Sequence, residues 1–244
     1  ARAVAAARIV SRLVASDLRA LGITMNCAPV LDVPAPGAHD IIGDRAYGED
    51  AATIVALGKA VAAGLMDGGV IPVIKHVPGH GRATADSHLA LPVVDADRRA
   101  LEASDFAPFK ALAGMPAAMT AHVVFTAVDP SAPASTSAKV TREIIRGAIG
   151  FDGLLMSDDL SMKALTGTMA ERTRAVLDAG SDLALHCNGA LAEMAEVAAA
   201  APALAGKALT RFRRALDVTA ATLPFDIAAA ESALAAVQAV KTVA

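Results

Sequence analysis

The chain has 244 residues, of which 55% are hydrophobic, so it can bury a sizeable core and its bulk is not disordered. Its 22 basic and 25 acidic residues give a net charge of −3, and no stripe of Lys and Arg stands out. Because aromatic residues make up only 3% and Trp is absent, the composition argues against a nucleic-acid partner.

Short runs rich in β-branched residues alternate with longer segments of helical periodicity. The pattern predicts strands at residues 24–30, 70–76, 117–123, 153–158 and 182–187. It predicts helices at residues 3–20, 50–67, 104–113, 139–148, 169–179, 190–199, 204–217 and 227–241. The predicted strands are continuously apolar, which is typical of a parallel sheet with helices on both faces.

Polar residues follow each predicted strand at its C-terminal end. In chain order they are Asp32, then Lys75 and His76, then His122, then Asp158, then His186 and Asn188. Active sites of (β/α)8 barrels are built at this end of the strands, whereas a doubly wound sheet binds ligands there only around its switch point. The sequence therefore favours a TIM (β/α)8-type barrel. Since a barrel has eight strands, either three are missing from this chain or the barrel is not complete.

The densest group of ionisable residues is the loop KHVPGHGRATADSH at 75–88. Structural loops rarely collect so many charged side chains, so the loop is a functional candidate. A zinc site of His76, His80 and His88 is one interpretation, and a solvated loop is another. Lys75 next to His76 would repel a cation, and no HExxH pattern occurs, so we expect neither a metal nor a cofactor.

Two short motifs carry candidate catalytic groups. In Asp86-Ser87-His88, a carboxylate next to an imidazole fixes its tautomer, and such a His can donate a proton and later remove one. In the SDD motif, a carboxylate at a strand end can attack a sugar carbon. Either Asp158 or Asp159 faces the site, and the other one caps the next helix.

Cys27 and Cys187 lie far apart in apolar runs, which predicts small, unpaired core residues in a reducing compartment. The N-terminal segment is an amphipathic helix and not a secretory signal. The sequence contains no run of 18 uncharged apolar residues and therefore predicts no membrane span. These features indicate a cytoplasmic protein with no membrane partner.

Five segments together resemble a known family. They are GITMNCAPVLDV, IIGDRAYGED, VIKHVPGHGRATADSHLALPVV, MTAHVVFTAVDP and GFDGLLMSDDLSM. From about residue 20 to about residue 190 the chain resembles bacterial glycoside hydrolase family 3, and within it the single-domain β-N-acetylglucosaminidases. The loop at 75–88 is the most specific of these matches.

The resemblance implies a role for each matching residue. Asp158 matches the nucleophile of a retaining glycosidase, His88 its general acid/base and Asp86 the dyad partner of that histidine. The substrate-binding residues that it implies, which hold the sugar hydroxyls and the acetamido group, are Arg45, Lys75 and His76. Asp32 lies at the edge of the same face and is a weaker candidate.

The chain also departs from the family pattern. Members of the subgroup begin with three further strands, the third of which ends in a sugar-binding motif with an Asp, a Gly-Gly turn and an Arg. We find no such motif here and therefore expect a TIM (β/α)8-type barrel that lacks its first three strands. On this interpretation residues 1–244 form a single catalytic domain that is N-terminally incomplete.

The resemblance implies a retaining exo-β-N-acetylglucosaminidase. The implied substrates are N-acetylglucosaminyl muropeptides, handled in the cytoplasm during peptidoglycan recycling. A β-N-acetylglucosaminide phosphorylase or another family 3 β-glycosidase is the first alternative, since a neutral imidazole repels an anionic acceptor less than a carboxylate does. A non-catalytic sugar-binding remnant is the second alternative.

Overall fold

The computed structural model describes residues 1–239. Within this range the strands are β1 (Met25–Asn26), β2 (Ile71–Val77), β3 (Val93–Val94), β4 (Ala117–Thr120), β5 (Val124–Phe125), β6 (Leu154–Asp159) and β7 (Leu183–Leu185). One sheet has the order β1-β2-β4-β6-β7, and its strands are the predicted ones, although β1, β4 and β7 are shorter than predicted. The sequence did not predict β3 and β5, which form a small second sheet.

The order of strands in the main sheet follows their order in the chain without a reversal. Every neighbouring pair is parallel. A doubly wound sheet reverses its strand order at a switch point, whereas a barrel adds each strand beside the preceding one. The sheet is therefore part of a TIM-type barrel, which confirms the predicted fold class.

Helices connect and cover the strands. They are α1 (Arg2–Ala20), α2 (Ala51–Asp67), α3 (Arg98–Ala103), α4 (Ala107–Ala111), a π-helix (Val140–Ala148), α5 (Met169–Asp178), α6 (Leu191–Ala200), α7 (Gly206–Leu216) and α8 (Ile227–Ala239). Residues 240 and 241 of the predicted helix 227–241 lie outside the described residues. The helix predicted at 104–113 is present as α4 but is shorter, and Pro108 lies in its first turn, where the missing N–H is tolerated. The sequence did not predict α3, which ends before residue 104.

Side chains of the strands divide between two apolar layers. Ile74, Ala118 and Leu155 pack with residues of α4 and the π-helix. Val73 and Ala117 pack in the second layer with residues of α7. Complete burial of one Val, Leu or Ile side chain contributes about 1.5–3 kcal/mol, so packing on both faces stabilises the strands. Their C-terminal ends, which carry the polar residues, are thereby fixed relative to one another.

Candidate active site

A pocket of about 250 Å³ lies at the carboxyl ends of the sheet strands. Its walls come from β2, β4, β6 and β7 and from the loops that follow β1, β2, β6 and β7. The predicted site residues that line it are Arg45, Lys75, His76, His88 and Asp158. Asp86, the remaining predicted residue, contacts His88. Residues far apart in the sequence therefore meet in one cavity, as expected for a barrel.

Asp158 is the penultimate residue of β6, and its side chain is only 9% exposed. One carboxylate oxygen, Oδ1, accepts the backbone N–H of Asp159 at 2.9 Å. The other oxygen, Oδ2, lies 4.0 Å from Nε2 of His76. The backbone hydrogen bond fixes the side chain at the pocket wall and leaves Oδ2 next to the histidine.

The neighbouring carboxylate, Asp159, stabilises loops. It accepts the backbone N–H groups of Ser161 at 3.1 Å and of Cys187 at 3.0 Å, and it also accepts the Ser161 hydroxyl. These bonds tie the loop after β6 to the loop after β7. Both aspartates line the pocket, and the expected helix cap is wrong, because Thr168 caps α5.

Asp86 and His88 form a close pair in the loop after β2. The carboxylate Oδ1 of Asp86 lies 2.8 Å from both the backbone N and the ring Nδ1 of His88. Burial alone would raise the pKa of Asp86, but its hydrogen bonds to His88 and the charge of that ring lower it. The ring is 55% exposed, and because Nδ1 faces the carboxylate, Nε2 is the nitrogen available for proton transfer.

His76 is oriented by Asp32, a residue that the sequence singled out only weakly. Oδ2 of Asp32 lies 2.7 Å from Nδ1 of His76, and Oδ1 accepts the backbone N–H groups of His76 at 3.2 Å and His80 at 2.7 Å. Burial alone would raise the pKa of Asp32, but its contacts with the two histidines lower it. The carboxylate therefore stays charged inside the protein.

The three histidines of the zinc interpretation each have a different side-chain partner. His76 faces Asp32, His88 faces Asp86, and Nε2 of His80 lies 3.1 Å from the Ser87 hydroxyl. Within residues 1–239 no three His, Cys, Asp or Glu side chains are arranged to hold a metal ion.

Two cationic side chains complete the pocket. Lys75 precedes His76 in β2, and Arg45 ends the short 3-10 helix Gly43–Arg45, where its guanidinium donates to the carbonyl of Ile41. Both lie at the same cavity as Asp158. The pocket therefore combines two cations, the imidazoles of His76, His80 and His88, and the buried carboxylate of Asp158.

Residues 1–214 match the family profile described as the glycosyl hydrolase family 3 N-terminal domain. The chain belongs to glycoside hydrolase family 3. Among curated relatives, the β-hexosaminidase of Alkalilimnicola ehrlichii is 44% identical over 72% of this chain and 51% of its own length. That of Thiobacillus denitrificans is 45% identical over 75% of this chain and 51% of its own length. This family 3 chain spans about half the length of these relatives.

Solved structures of family 3 proteins share the fold. A β-N-acetylglucosaminidase from Paenibacillus sp. FPU-7 aligns with a TM-score of 0.85 and 31% identity, covering 97% of this chain and 50% of that protein. NagZ from Neisseria gonorrhoeae aligns with a TM-score of 0.80 and 34% identity, covering 95% of this chain and 69% of that protein. The partial barrel is therefore the family 3 fold.

His122 does not line the pocket of this family 3 chain, although it follows a predicted strand and was therefore a candidate for the pocket wall. The residue is fully buried, Nδ1 lies 2.7 Å from the Ser135 hydroxyl, and Nε2 lies 3.0 Å from the carbonyl of Asp159. Burial lowers its pKa, so the ring is neutral at pH 7. Its hydrogen bonds connect the loop after β4 to the end of β6.

The prediction that Cys27 and Cys187 are core residues is wrong. Both are exposed and line the pocket. Cys27 follows β1 and Cys187 follows β7, the two edge strands of the sheet. The apolar residues around each cysteine therefore belong to the lining of the barrel and not to the core beneath the helices. The sequence pattern cannot distinguish the barrel lining from the helix-covered core, because both faces of a barrel strand are apolar.

We expect Cys187 to react slowly with iodoacetamide at neutral pH. Although the residue is exposed, partial desolvation of its thiol, followed by the charges of Asp159 and Asp158, raises the pKa of Cys187 to about 11, so little thiolate is present. The alkylation rate, followed by mass spectrometry of the Cys187 peptide, should still rise about tenfold per pH unit between pH 9 and 10. A rate that levels off near pH 9, as in the denatured chain, contradicts the expectation.

The PGHG turn requires glycine at position 81. A Cβ placed there would lie 2.0 Å from the carbonyl oxygen of Val33, a backbone atom that cannot move aside easily. Overpacking of a well-packed site typically costs about 1–3 kcal/mol. We expect Gly81→Ala to lower the free energy of unfolding by at least this amount. Gly114→Ala is the control, because no atom lies within 4 Å of its Cβ position. Equal urea midpoints for the two variants would contradict this argument.

Proposed function

We propose that the chain carries the catalytic groups of a retaining exo-β-N-acetylglucosaminidase. The observation that supports this most directly is the meeting of Asp158 and the Asp86–His88 pair at one pocket. One group is a buried carboxylate and the other is an exposed, carboxylate-oriented imidazole. These are the nucleophile and the proton-transfer group that a two-step glycoside hydrolysis needs.

The proposed reaction has two displacement steps. In the first, Asp158 attacks the anomeric carbon, the glycosidic C–O bond breaks, and protonated His88 gives its proton to the leaving oxygen. In the second, neutral His88 removes a proton from water, and the resulting oxygen nucleophile displaces Asp158 from the same carbon. Two inversions retain the β-configuration. The charge of Asp86 stabilises the positively charged imidazole that exists before the first step and after the second.

The proposed substrates are muropeptides with a terminal β-linked N-acetylglucosamine, and the proposed setting is cytoplasmic peptidoglycan recycling. The support for this finer statement is the likeness to proteins named β-hexosaminidase and NagZ. Lys75, His76 and Arg45 are the proposed ligands of the hydroxyl and acetamido groups, because they line the pocket beside Asp158. Among residues 1–239 no helix combines the length and the apolar character needed to cross a bilayer.

The test is release of p-nitrophenol from p-nitrophenyl β-N-acetylglucosaminide, with the β-glucoside as the control for the acetamido group. Selective hydrolysis of the acetamido sugar supports the proposal. The stereochemistry of the first product, read by NMR before mutarotation, tests the retaining mechanism separately. A first product in the α-configuration would overturn it. Binding of N-acetylglucosamine without turnover would instead favour a sugar-binding remnant.

Phosphorolysis is a second candidate for the same site. His88 is an imidazole and Lys75 and Arg45 are cations, so the pocket repels an anionic acceptor less than a pair of carboxylates would. Adding inorganic phosphate to the assay separates the two candidates. A phosphorylase would form N-acetylglucosamine 1-phosphate and turn over faster, whereas a hydrolase would form free N-acetylglucosamine at an unchanged rate.

A further inference from the structure

Asp32 is a fully buried carboxylate that the proposed reaction does not use. Both of its oxygens are engaged, Oδ1 by the backbone N–H groups of His76 and His80 and Oδ2 by Nδ1 of His76 at 2.7 Å. The two backbone bonds hold the loop after β1 against the end of β2. The third contact reaches the ring of His76, and closing the loop does not require it.

The ring contact determines which nitrogen of His76 carries a proton. An ionised carboxylate can only accept hydrogen bonds, and the pKa of Asp32 is lowered despite its burial, because of its contacts with His76 and His80. Nδ1 of His76 is therefore the donor in the 2.7 Å contact. The other nitrogen, Nε2, lies 4.0 Å from Oδ2 of Asp158 at the pocket.

We propose that Asp32 is a positioning residue for the glycosidase reaction, because it holds the ring of His76 with Nδ1 protonated and Nε2 facing the sugar and Asp158. The inference rests on the proposed function. Asp32 does not line the pocket, so it acts through His76. It plays the part that a buried carboxylate plays behind a catalytic histidine or a metal-bound histidine, where it fixes the tautomer and the ring plane.

The surroundings of His76 support this role. Two carboxylates face its ring, Asp32 at Nδ1 and Asp158 at Nε2. Two further imidazoles lie near, with the ring of His80 at 5.7 Å between centroids and His122 within electrostatic range. Burial lowers the pKa of both, so neither adds a positive charge at pH 7. Asp32 is thus the partner that decides the orientation of the ring.

The variant Asp32→Asn isolates the ring contact. Its amide oxygen can still accept the backbone N–H groups of His76 and His80, so the loop stays closed. Its NH2 group replaces Oδ2 and donates to Nδ1, which forces the proton of a neutral ring onto Nε2. We expect kcat/KM to fall about 10–100-fold, as for carboxylates that orient metal-bound histidines. The ¹⁵N shifts of His76 should show protonated Nδ1 in the parent and protonated Nε2 in the variant.

A double-mutant cycle with His76→Ala shows whether Asp32 acts through the ring. In the His76→Ala background, Asp32→Asn should lower kcat/KM by less than about threefold, because there is no ring left to orient. Asp182→Asn is the matched control. Asp182 is also a buried carboxylate, with hydrogen bonds to Arg146 and to the backbone of Leu155, but it lies at the amino end of β7, away from the pocket.

Several results would overturn the proposal. They are a parent-like kcat/KM for Asp32→Asn, full additivity with His76→Ala, an equal loss in Asp182→Asn, and a parent His76 with its proton on Nε2. Failure of the proposed function gives a different result, since the parent chain would then not hydrolyse the acetamido sugar. The ¹⁵N measurement does not depend on turnover, so it decides the tautomer in either case.

Discussion

Asp158→Asn is expected to abolish hydrolysis of p-nitrophenyl β-N-acetylglucosaminide, with kcat reduced by roughly 10³-fold or more. The neutral amide has nearly the same shape as the carboxylate, and its oxygen can still accept the backbone N–H of Asp159. It cannot form the covalent bond to the anomeric carbon. The free energy of unfolding should therefore change little, while the chemical step is lost.

The neighbouring variant Asp159→Asn is the control for Asp158→Asn. Its side-chain oxygen can still accept a backbone N–H group from Ser161 or Cys187, so a loss well below that of Asp158→Asn is expected. A fluorinated N-acetylglucosaminyl donor that deglycosylates slowly should label the parent enzyme, and peptide mapping should find the label on Asp158. Label on another carboxylate, or near-parent turnover by Asp158→Asn, would contradict the assignment of the nucleophile.

The strands of the partial barrel were predictable because they are buried on both faces. Residues 71–77 and 154–159 form continuous apolar runs that end in charged side chains, and glycines or polar turns precede them. The small sheet of β3 and β5 was not predictable, since each strand has two residues and exists only because the loops after β2 and β4 lie side by side. Such tertiary pairing leaves no periodic signal in the sequence.

The residues at the candidate site also divide into those that the sequence predicts and those that it does not. His76, His88 and Asp158 could be chosen because their motifs place ionisable groups at strand ends. Asp32 was ranked too low, because its importance depends on contacts with residues 44 and 48 positions away in the sequence. Cys187 was misjudged because the sequence does not show that one edge of the sheet opens into the pocket.

His88→Ala is expected to slow hydrolysis in proportion to the need for leaving-group protonation. For an alkyl β-N-acetylglucosaminide, whose alkoxide is a poor leaving group, we expect a loss of about 10²–10⁴-fold in kcat/KM. For the dinitrophenyl glycoside the loss should be much smaller, because that leaving group departs without a proton. Asp86→Asn should show the same ranking of substrates with smaller losses, since the ring remains but its tautomer is no longer fixed.

The pH dependence provides a second test of His88. A general acid must hold its proton for the first step, so kcat/KM of the parent should fall on the alkaline side, and His88→Ala should lose this limb. Because the pKa of Asp86 is lowered, its carboxylate is already charged throughout the alkaline range, so the fall in kcat/KM there cannot come from titration of Asp86. His39→Ala is the control, an exposed imidazole whose charge also reaches Asp86. An alkaline limb that persists in His88→Ala, or disappears in His39→Ala, would remove His88 from the role of acid/base.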